Sequence, residues 1–556
     1  MLRRTLLFLM GLGALALPTD EARSTAAAAT PTRPNVLIIE TDDQTAAEMS
    51  VLPSVRRLIG AQGVTFDRSF VSYSLCCPSR ATLLTGQYAH NHGVLGNLPP
   101  EGGYYKLDSS STLPVWLQRA GYYTIHLGKY LNRYGTRNPT EIPPGWSEWH
   151  GLVDPSTYRY YGYTLNEGGK LSTYCADRAP SCYQTDELAS KAEGIIRARA
   201  DKAQPFFFWL AVVADHDGTP VEPGDPPGMG TPVVPPRYAN ALENVKMPLP
   251  PSFNEADVSD KPVFVRSLKP FTAADLAAIQ ESWKQRRESL LAVDDAVRGV
   301  VDTLRKTGQL DRTLVLFTSD NGFMQGEHRI KFGKIVLYEP SIRVPLLMRG
   351  PGIPKGVHRS QLVANIDYAP TILAAAGVKA GRVEDGTSLL PLARDGGRET
   401  GRDLLIENGA ANHFDAIRTR NWIYAEYANG DRELYDLRRD PYELQSLHAD
   451  PRYASLRAAL ADRLHVLARC AGATCRAVPN VSLAVRCRRG TLEARVTGKD
   501  VVSVAFRANG RTVAVDRRAP FATRIAARPA RNLVRAAVTV RYDRLVTKDV
   551  RVSICR

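Results

Sequence analysis

An α/β domain built on a mostly parallel sheet, then a small α+β piece and a separate β-sandwich, is the fold the 556-residue chain predicts. Two observations carry this. Apolar runs of strand length recur at wide spacing, with helix-like stretches between some of them. From about Asn408 onward the apolar residues instead come in short alternating segments separated by turns.

The first apolar run, 35–40, follows a Thr/Pro-containing linker. Three more follow at 123–127, 206–213 and 314–318. Residues 273–306 show apolar positions near helical spacing, which predicts one long helix. Each strand-like run ends in polar residues: Thr41-Asp42-Asp43-Gln44, Gly128-Lys129, Ala214-Asp215-His216 and Ser319-Asp320-Asn321-Gly322. Such residues also favour ordinary turns. Four clusters at strand ends nevertheless point to one shared site, because open α/β sheets bind ligands beyond the carboxyl ends of their strands. The Pro/Gly-rich stretch 217–260 predicts a long surface excursion. Segments 422–427 and 433–437 predict a small antiparallel sheet, with a helix over 453–469. Segments 481–485, 491–496, 501–506, 512–515 and 534–540 predict the sandwich. The expected boundaries are 1–29 for a leader, 30–400 for the main domain, 401–469 for its C-terminal subdomain and 476–556 for the sandwich. No internal repeat of the solenoid kind is present.

The leader has a basic start (Arg3, Arg4), an apolar stretch from Leu6 to Leu17 and the small residues Ala26–Ala29. That is a secretory signal pattern, with an uncleaved anchor as the alternative. No later segment is apolar enough for a membrane span. The expected location is therefore secreted or extracytoplasmic.

The formal net charge of +15 raises nucleic acid as a partner. The excess forms no compact Lys/Arg run, so no nucleic-acid partner is expected. The tail from Arg476 is Arg-rich at roughly alternate positions, a pattern that a solvated sheet face explains as well as a binding patch. Of the eight cysteines, proximity suggests pairing 175 with 182 and 470 with 475, leaving 487 with 555; connectivity is not provable from sequence. Cys76 and Cys77 are adjacent and need another explanation.

That explanation lies in Ser74-Leu-Cys76-Cys77-Pro78-Ser79-Arg80-Ala-Thr-Leu-Leu-Thr-Gly86. The segment resembles the signature of the type I sulfatases, Cys-x-Pro-Ser-Arg followed by Thr-Gly. Cys76 stands in the nucleophile's place, with Pro78 and Arg80 at +2 and +4. Cys77 does not, since Ser79 lies at its +2. The resemblance implies an alkaline-phosphatase-like sheet with helices on both faces. It also implies that a formylglycine-generating enzyme oxidises Cys76 to formylglycine (3-oxoalanine). The hydrated aldehyde of that family attacks sulfur, and the resulting hemiacetal expels sulfate without a second attack at sulfur.

By the same resemblance Asp42, Asp43, Asp320 and Asn321, with residue 76, match the ligands of one metal ion. Their oxygen atoms suit Ca²⁺. Arg80, Lys129, His216 and Lys334 match residues that hold sulfate or stabilise charge, with Lys331 as the competing choice for Lys334. Asn132, His90, His92 and His328 are the candidate substrate-binding residues. The wording Gly128-Lys-Tyr-Leu-Asn-Arg-Tyr-Gly135, His90-Asn-His92, Pro144-Gly-Trp146 and Val363-Ala-Asn-Ile-Asp367 resembles the N-acetylglucosamine-6-sulfatase branch. Leu131 replaces the His of many sulfatases, and Leu95-Gly-Asn-Leu-Pro99 departs from the branch's polar stretch. The implied substrate is a sulfated sugar, with an aryl sulfate as the broader alternative. A phosphodiesterase or phosphonate hydrolase of the same superfamily, and a catalytically silent glycan-binding protein, are the rival readings. The resemblance runs from about residue 33 to 469, and the sandwich, which resembles Ig-like modules, lies outside it.

Overall fold

The computed structural model describes residues 33–553 and 555, apart from 180–181, 397, 410–412 and 529–530. The leader at 1–29 lies outside the described residues. Strand Asn35–Thr41 is buried along its whole length at the centre of a ten-stranded sheet. It pairs in parallel with Phe206–Ala211 on one side and Thr313–Ser319 on the other. Tyr123–Gly128 extends the parallel core beyond Phe206–Ala211, and Glu148–Leu152 extends it further. Buried on both faces, these strands read as continuous apolar runs, which is why the sequence exposes them.

The alternation of the pleat decides which face each residue serves. Val36, Ile38, Phe207, Trp209, Leu314 and Leu316 pack with helices Cys76–Thr85, Leu113–Arg119 and Tyr368–Ala376. Leu37, Ile39, Phe208, Leu210, Val315 and Phe317 pack on the other face with Gln184–Ala198 and Ala273–Lys306. The last of these helices starts at Thr272, whose side chain accepts from the Asp275 N–H in a capping box. The expected limits 273–306 are the observed ones. Both sheet edges are antiparallel or short: the hairpin Tyr163–Glu167/Lys170–Tyr174 at one, and Leu346–Arg349, Val64–Phe66 and Val357–Arg359 at the other. Residues 217–260 carry little regular structure beyond the turn Pro236–Tyr238.

Strands Leu404–Asn408, Phe414–Arg418, Trp422–Tyr427 and Arg432–Asp436 form an antiparallel meander, and helix Ala454–Leu467 packs on it. Beyond it lie two further antiparallel sheets. One holds Val481–Arg488, Thr491–Gly498 and Ala522–Ala526. The other holds Arg511–Asp516, Val501–Ala508, Asn532–Val540 and Arg544–Val552. Their inner faces share one apolar core. Ala522–Ala526 and Arg544–Val552 are additional to the five strands expected there. The sandwich is fastened to the body by the Thr547 N–H donating to Glu399 O (2.8 Å), by Arg544 against Asp403 (3.1 Å) and by Arg438 against Asp543 (2.6 Å). Disulfides join Cys175–Cys182, Cys470–Cys475 and Cys487–Cys555, the pairing that proximity suggested, and Cys76 and Cys77 are free.

Candidate active site

The four strand-end clusters meet. Backbone bonds tie them together: Asp42 N–H to Ala214 O (3.4 Å), Asp215 N–H to Asp42 O (3.2 Å), Asp320 N–H to Thr41 O (3.2 Å) and Lys129 N–H to Ala211 O (2.9 Å). Gly128 makes the last approach possible. It has φ 108°, and a Cβ there would lie 1.9 Å from the Ala211 carbonyl oxygen.

Cys76 opens helix Cys76–Thr85 directly over these strand ends. Its Sγ lies 2.9 Å from Lys334 Nζ and 3.4 Å from Asp42 Oδ1. Lys334 also pairs with Asp43, and Lys129 with Asp42. Arg80, one helical turn after Cys76, donates from Nε to Asp320 Oδ2 (2.8 Å) and from Nη1 to Lys129 O (2.9 Å). Asn321 Nδ2 donates to Asp43 Oδ1 (2.6 Å), and the Asp43 N–H donates to Asp320 Oδ1 (3.2 Å). His216 Nε2 stands 3.7 Å from Asp43 Oδ2, while its Nδ1 faces Asp217 Oδ1 at 2.8 Å. Lys331, the competing lysine, pairs with Asp275 instead.

Cys77 has a different environment. It lies in the apolar cluster beneath the helix, its N–H donates to Asn97 Oδ1 (2.9 Å), and burial pushes its thiol up to about 12. A thiol held neutral there is poorly suited to chemistry.

Buried charges need partners. Burial opposes ionisation of Asp42, yet Lys129, His216, Arg80 and Lys334 together hold its carboxyl well below the usual range. Burial likewise works against the charged forms of Lys129, Lys334 and His216, and the surrounding aspartates overcome it, raising all three. Asp320 is raised by burial and by Asp42.

Two buried oxygens in this cluster, Asp43 Oδ2 and Asn321 Oδ1, have no hydrogen-bond partner. Orphaned buried acceptors are costly. Ligand atoms of Asp42, Asp43, Cys76 and His216 lie within 4.8 Å of one another. Asp320 and Asn321 adjoin this group through Asp43, and the oxygen atoms of Asp42, Asp43, Asp320 and Asn321 would suit a hard divalent cation, to which the two orphan oxygens would turn.

Of the candidate substrate residues, Asn132 alone borders this pocket. Its Nδ2 donates to Tyr158 Oη (2.7 Å), and the Tyr158 ring lies 4.4 Å from the His216 ring and 4.8 Å from Lys129 Nζ. The structure gives the three histidines partners of their own. His90 is held by Glu407 (2.8 Å) and Cys470 O (2.9 Å). His92 is bound by Thr82 Oγ1 (3.0 Å) and accepts the Val94 N–H (3.1 Å). His328 is buried against Glu255 (2.6 Å) and Tyr338, at the wall of a separate cavity of about 590 Å³.

Four residues that sequence reasoning passed over complete the site. Glu40 lies 3.3 Å from Arg80 and accepts from Trp209 Nε1 (3.1 Å). Asp217 orients His216. Arg286 donates to Asp43 O (2.8 Å) and pairs with Asp215 (2.6 Å). Tyr158 forms the pocket wall. Glu40 and Asp217 flank residues that were singled out, so proximity was a usable signal. Arg286 in a long helix and Tyr158 in a Tyr-rich loop carried none.

A cysteine at a helix start, ringed by cationic side chains and by an oxygen cluster at the ends of parallel strands, thus makes up one pocket. The sulfatase family profile matches residues 34–378, and the N-sulphoglucosamine sulphohydrolase C-terminal profile matches 326–469. The chain belongs to the sulfatase family and is a sulfatase. It is 33% identical to an arylsulfatase of Volvox carteri over 81% of this chain and 76% of that protein. It is 33% identical to human N-acetylglucosamine-6-sulfatase over 80% of this chain and 86% of that protein. A protein solved in complex with its substrate D-glucosamine-2-N,6-O-disulfate shares the fold, with a TM-score of 0.63 and 24% identity over 78% of this chain and 97% of that one.

Proposed function

We propose that the enzyme removes sulfate from glycans, with the 6-O-sulfate of N-acetylglucosamine as the preferred ester. Cys76 carries the formylglycine and Asp42, Asp43, Asp320 and Asn321 hold one Ca²⁺ ion. The observation that supports this best is the contrast within the cysteine pair: Cys76 faces Lys334 and Asp42, whereas Cys77 is sunk in the apolar core. The Sγ of Cys76 here stands in for the oxygen of a hydrated aldehyde.

When bound, the cation supplies Lewis-acid charge at a sulfate oxygen, and formylglycine supplies a hydroxyl nucleophile. The remaining work falls to the chain itself. Lys129 and Lys334, kept charged by the aspartates, neutralise sulfate oxygens that enter beside residue 76. Arg80 fixes Asp320 and the Lys129 backbone rather than reaching outward. Asp217 holds His216 Nδ1, leaving Nε2 turned to the pocket as the proton donor for the departing sugar oxygen. Asn132 and Tyr158 bound the space in which that sugar would lie.

The N-acetylglucosamine preference rests on the human relative, which matches over most of both chains. The Volvox arylsulfatase matches as well, so a broad aryl sulfate activity is the second reading. A panel of 6-sulfated N-acetylglucosamine, other sulfated monosaccharides, an aryl sulfate and an aryl phosphonate decides between them. Preferred release from the 6-sulfated sugar is expected. Aryl sulfate turnover without sugar turnover leaves the second reading, and phosphonate turnover above both removes each of them. Maturation needs a formylglycine-generating enzyme. The three disulfides suit an extracytoplasmic setting, and no helix among the described residues is long and apolar enough to cross a membrane.

A further inference from the structure

Residues 476–556 contain 19 basic and five acidic side chains, so this segment carries +14 of the chain's formal +15. The rest of the molecule is close to neutral. The excess is also organised. In the three-stranded sheet, Leu492, Ala494 and Val496 point into the core, so Thr491, Glu493, Arg495 and Thr497 point out. On the neighbouring strands the outward positions include Ser482, Arg486, Arg488 and Arg524.

Register assembles these into rows. Arg486, Glu493 and Arg524 form one row across the three strands. Arg495 lies in the row to one side, and Arg488 in the row to the other. With strands about 4.8 Å apart and same-face residues about 7 Å apart, the grid covers about 10 by 14 Å at the backbone. All four arginines are exposed, Arg488 at 70% and Arg524 at 81%. The single carboxylate on the grid, Glu493, sits between them, 3.8 Å from Arg488 and 3.5 Å from Arg524. Ser482 and Thr497 hydroxyls bond each other at 2.7 Å on the same face. The contacts that fasten this segment to the body come from Arg476, Ala477 and residues 542–549, none of which lies on this face.

We infer that this arginine face is a second binding surface, one that holds a sulfated polysaccharide chain apart from the catalytic pocket. Guanidinium groups match sulfate and carboxylate oxygens two at a time, and exposed hydroxyls suit sugar. Nucleic acid fits less well. Single strands need stacking aromatics, and the segment's three aromatics are used elsewhere: Phe506 and Phe521 in the sandwich core and Tyr542 against the meander. Among the described residues of the segment no helix longer than a 3-10 turn is available for a groove. The choice of a sulfated polymer rests on the proposed glycan sulfatase activity, while the anion-binding face stands on charge and register alone.

The test uses the full-length enzyme and heparin as the sulfated polysaccharide. One variant carries Arg486→Gln, Arg488→Gln, Arg495→Gln and Arg524→Gln. A control removes the same charge from exposed positions off the face: Arg507→Gln, Arg511→Gln, Arg517→Gln and Arg518→Gln. The face variant is expected to lose at least 10-fold in heparin affinity, and its slope of log affinity against log salt to fall by about 3. The control is expected to lose less than 3-fold, and both variants to keep unchanged turnover of a small sulfate ester. Equal losses in both, no loss in the face variant, or duplex DNA held more tightly than heparin at the same salt overturns the inference. A failure of the sulfatase reading appears instead as absent turnover in the unmodified enzyme, which the binding measurement does not touch.

Discussion

Around Cys76, Asp42, Asp43, Asp320 and Glu40 are buried with Arg80 and Lys129, Lys334 is part-buried beside them, and each charge is answered by another within hydrogen-bond or ion-pair distance. On the sheet Val481–Arg488/Thr491–Gly498/Ala522–Ala526 the charges, Glu493 apart, are of one sign and stand in water. The difference teaches where electrostatics does chemistry. Coulomb interactions are strong where water is excluded, and screened within about 10 Å at ordinary salt where it is not. The pocket is therefore suited to transition-state charge, and the arginine face to weak, salt-sensitive capture of a polymer.

The hardest way to break the buried half is at the nucleophile. Cys76→Ser and Cys76→Ala are expected to lower kcat/KM by about 10⁴-fold or more, as for other essential nucleophiles. Cys77→Ala should keep at least a tenth of the activity. Steady-state assays combined with intact mass, which reads formylglycine at residue 76, check both. A dead Cys77 variant beside an active Cys76 variant reverses the assignment.

Chelation is expected to come next. Removing the cation leaves Asp42, Asp43 and Asp320 to repel one another, so both activity and Tm should fall and return with added Ca²⁺. Ca²⁺ at 100 times its Kd should stabilise by about 2.7 kcal/mol. Asp43→Asn should abolish that gain, and differential scanning calorimetry with and without Ca²⁺ reads it directly. A metal-free enzyme of full activity contradicts the assignment.

A smaller effect distinguishes His90 from the site residues. Burial disfavours its charge, but the hydrogen bond and charge of Glu407 prevail and raise it to about 9. Its folded value exceeds the unfolded one of about 6.5, so the stabilisation is fully present below pH 6.5 and lost as pH rises through about 9. The side chain is 21% exposed, and screening trims the pair to about 1–2 kcal/mol. His90→Gln should thus lower Tm at pH 6 much more than at pH 10, with kcat retained. A pH-independent Tm loss removes this account.

The smallest effect is expected from deleting the exposed half. A protein ending at Val478 keeps the Cys470–Cys475 bridge and the Gly472 N–H bond to Asp385 (2.6 Å). It should turn over small sulfate esters within about 2-fold of the full chain while losing heparin retention, provided that the body stays folded without the Arg544–Asp403 pair and the Thr547 N–H bond to Glu399 O. Turnover lost from a folded truncation would make the sandwich part of the catalytic unit.

Much of the fold was legible because buried parallel strands have little choice of residue: 35–41, 206–211 and 313–319 must be apolar on both faces. The long helix was legible through its period and the Thr272/Asp275 cap. Edge and surface strands such as Lys170–Tyr174, Ala522–Ala526 and Arg544–Val552 were not, since half or more of their residues meet water and are free to be polar. In the site, Lys334 was separable from Lys331 only once the pocket was seen. His90 and His92 looked equally suited to a sugar, and only the structure showed that each has a partner within the chain, Glu407 and Thr82.

The local spacing of Cys76, Pro78, Ser79 and Arg80 by itself determined which cysteine opens the motif, because those positions share one covalently continuous turn of helix. The strand-end pattern told which acids and lysines were candidates. Only the tertiary structure decided which of them meet. The Asp43 N–H reaches Asp320 across 277 residues of sequence, and that closeness comes from strand order in the sheet. The arginines of the tail followed the same rule: alternate positions on single strands fit solvent and ligand equally well, until register set three strands side by side and gathered their charges on one face.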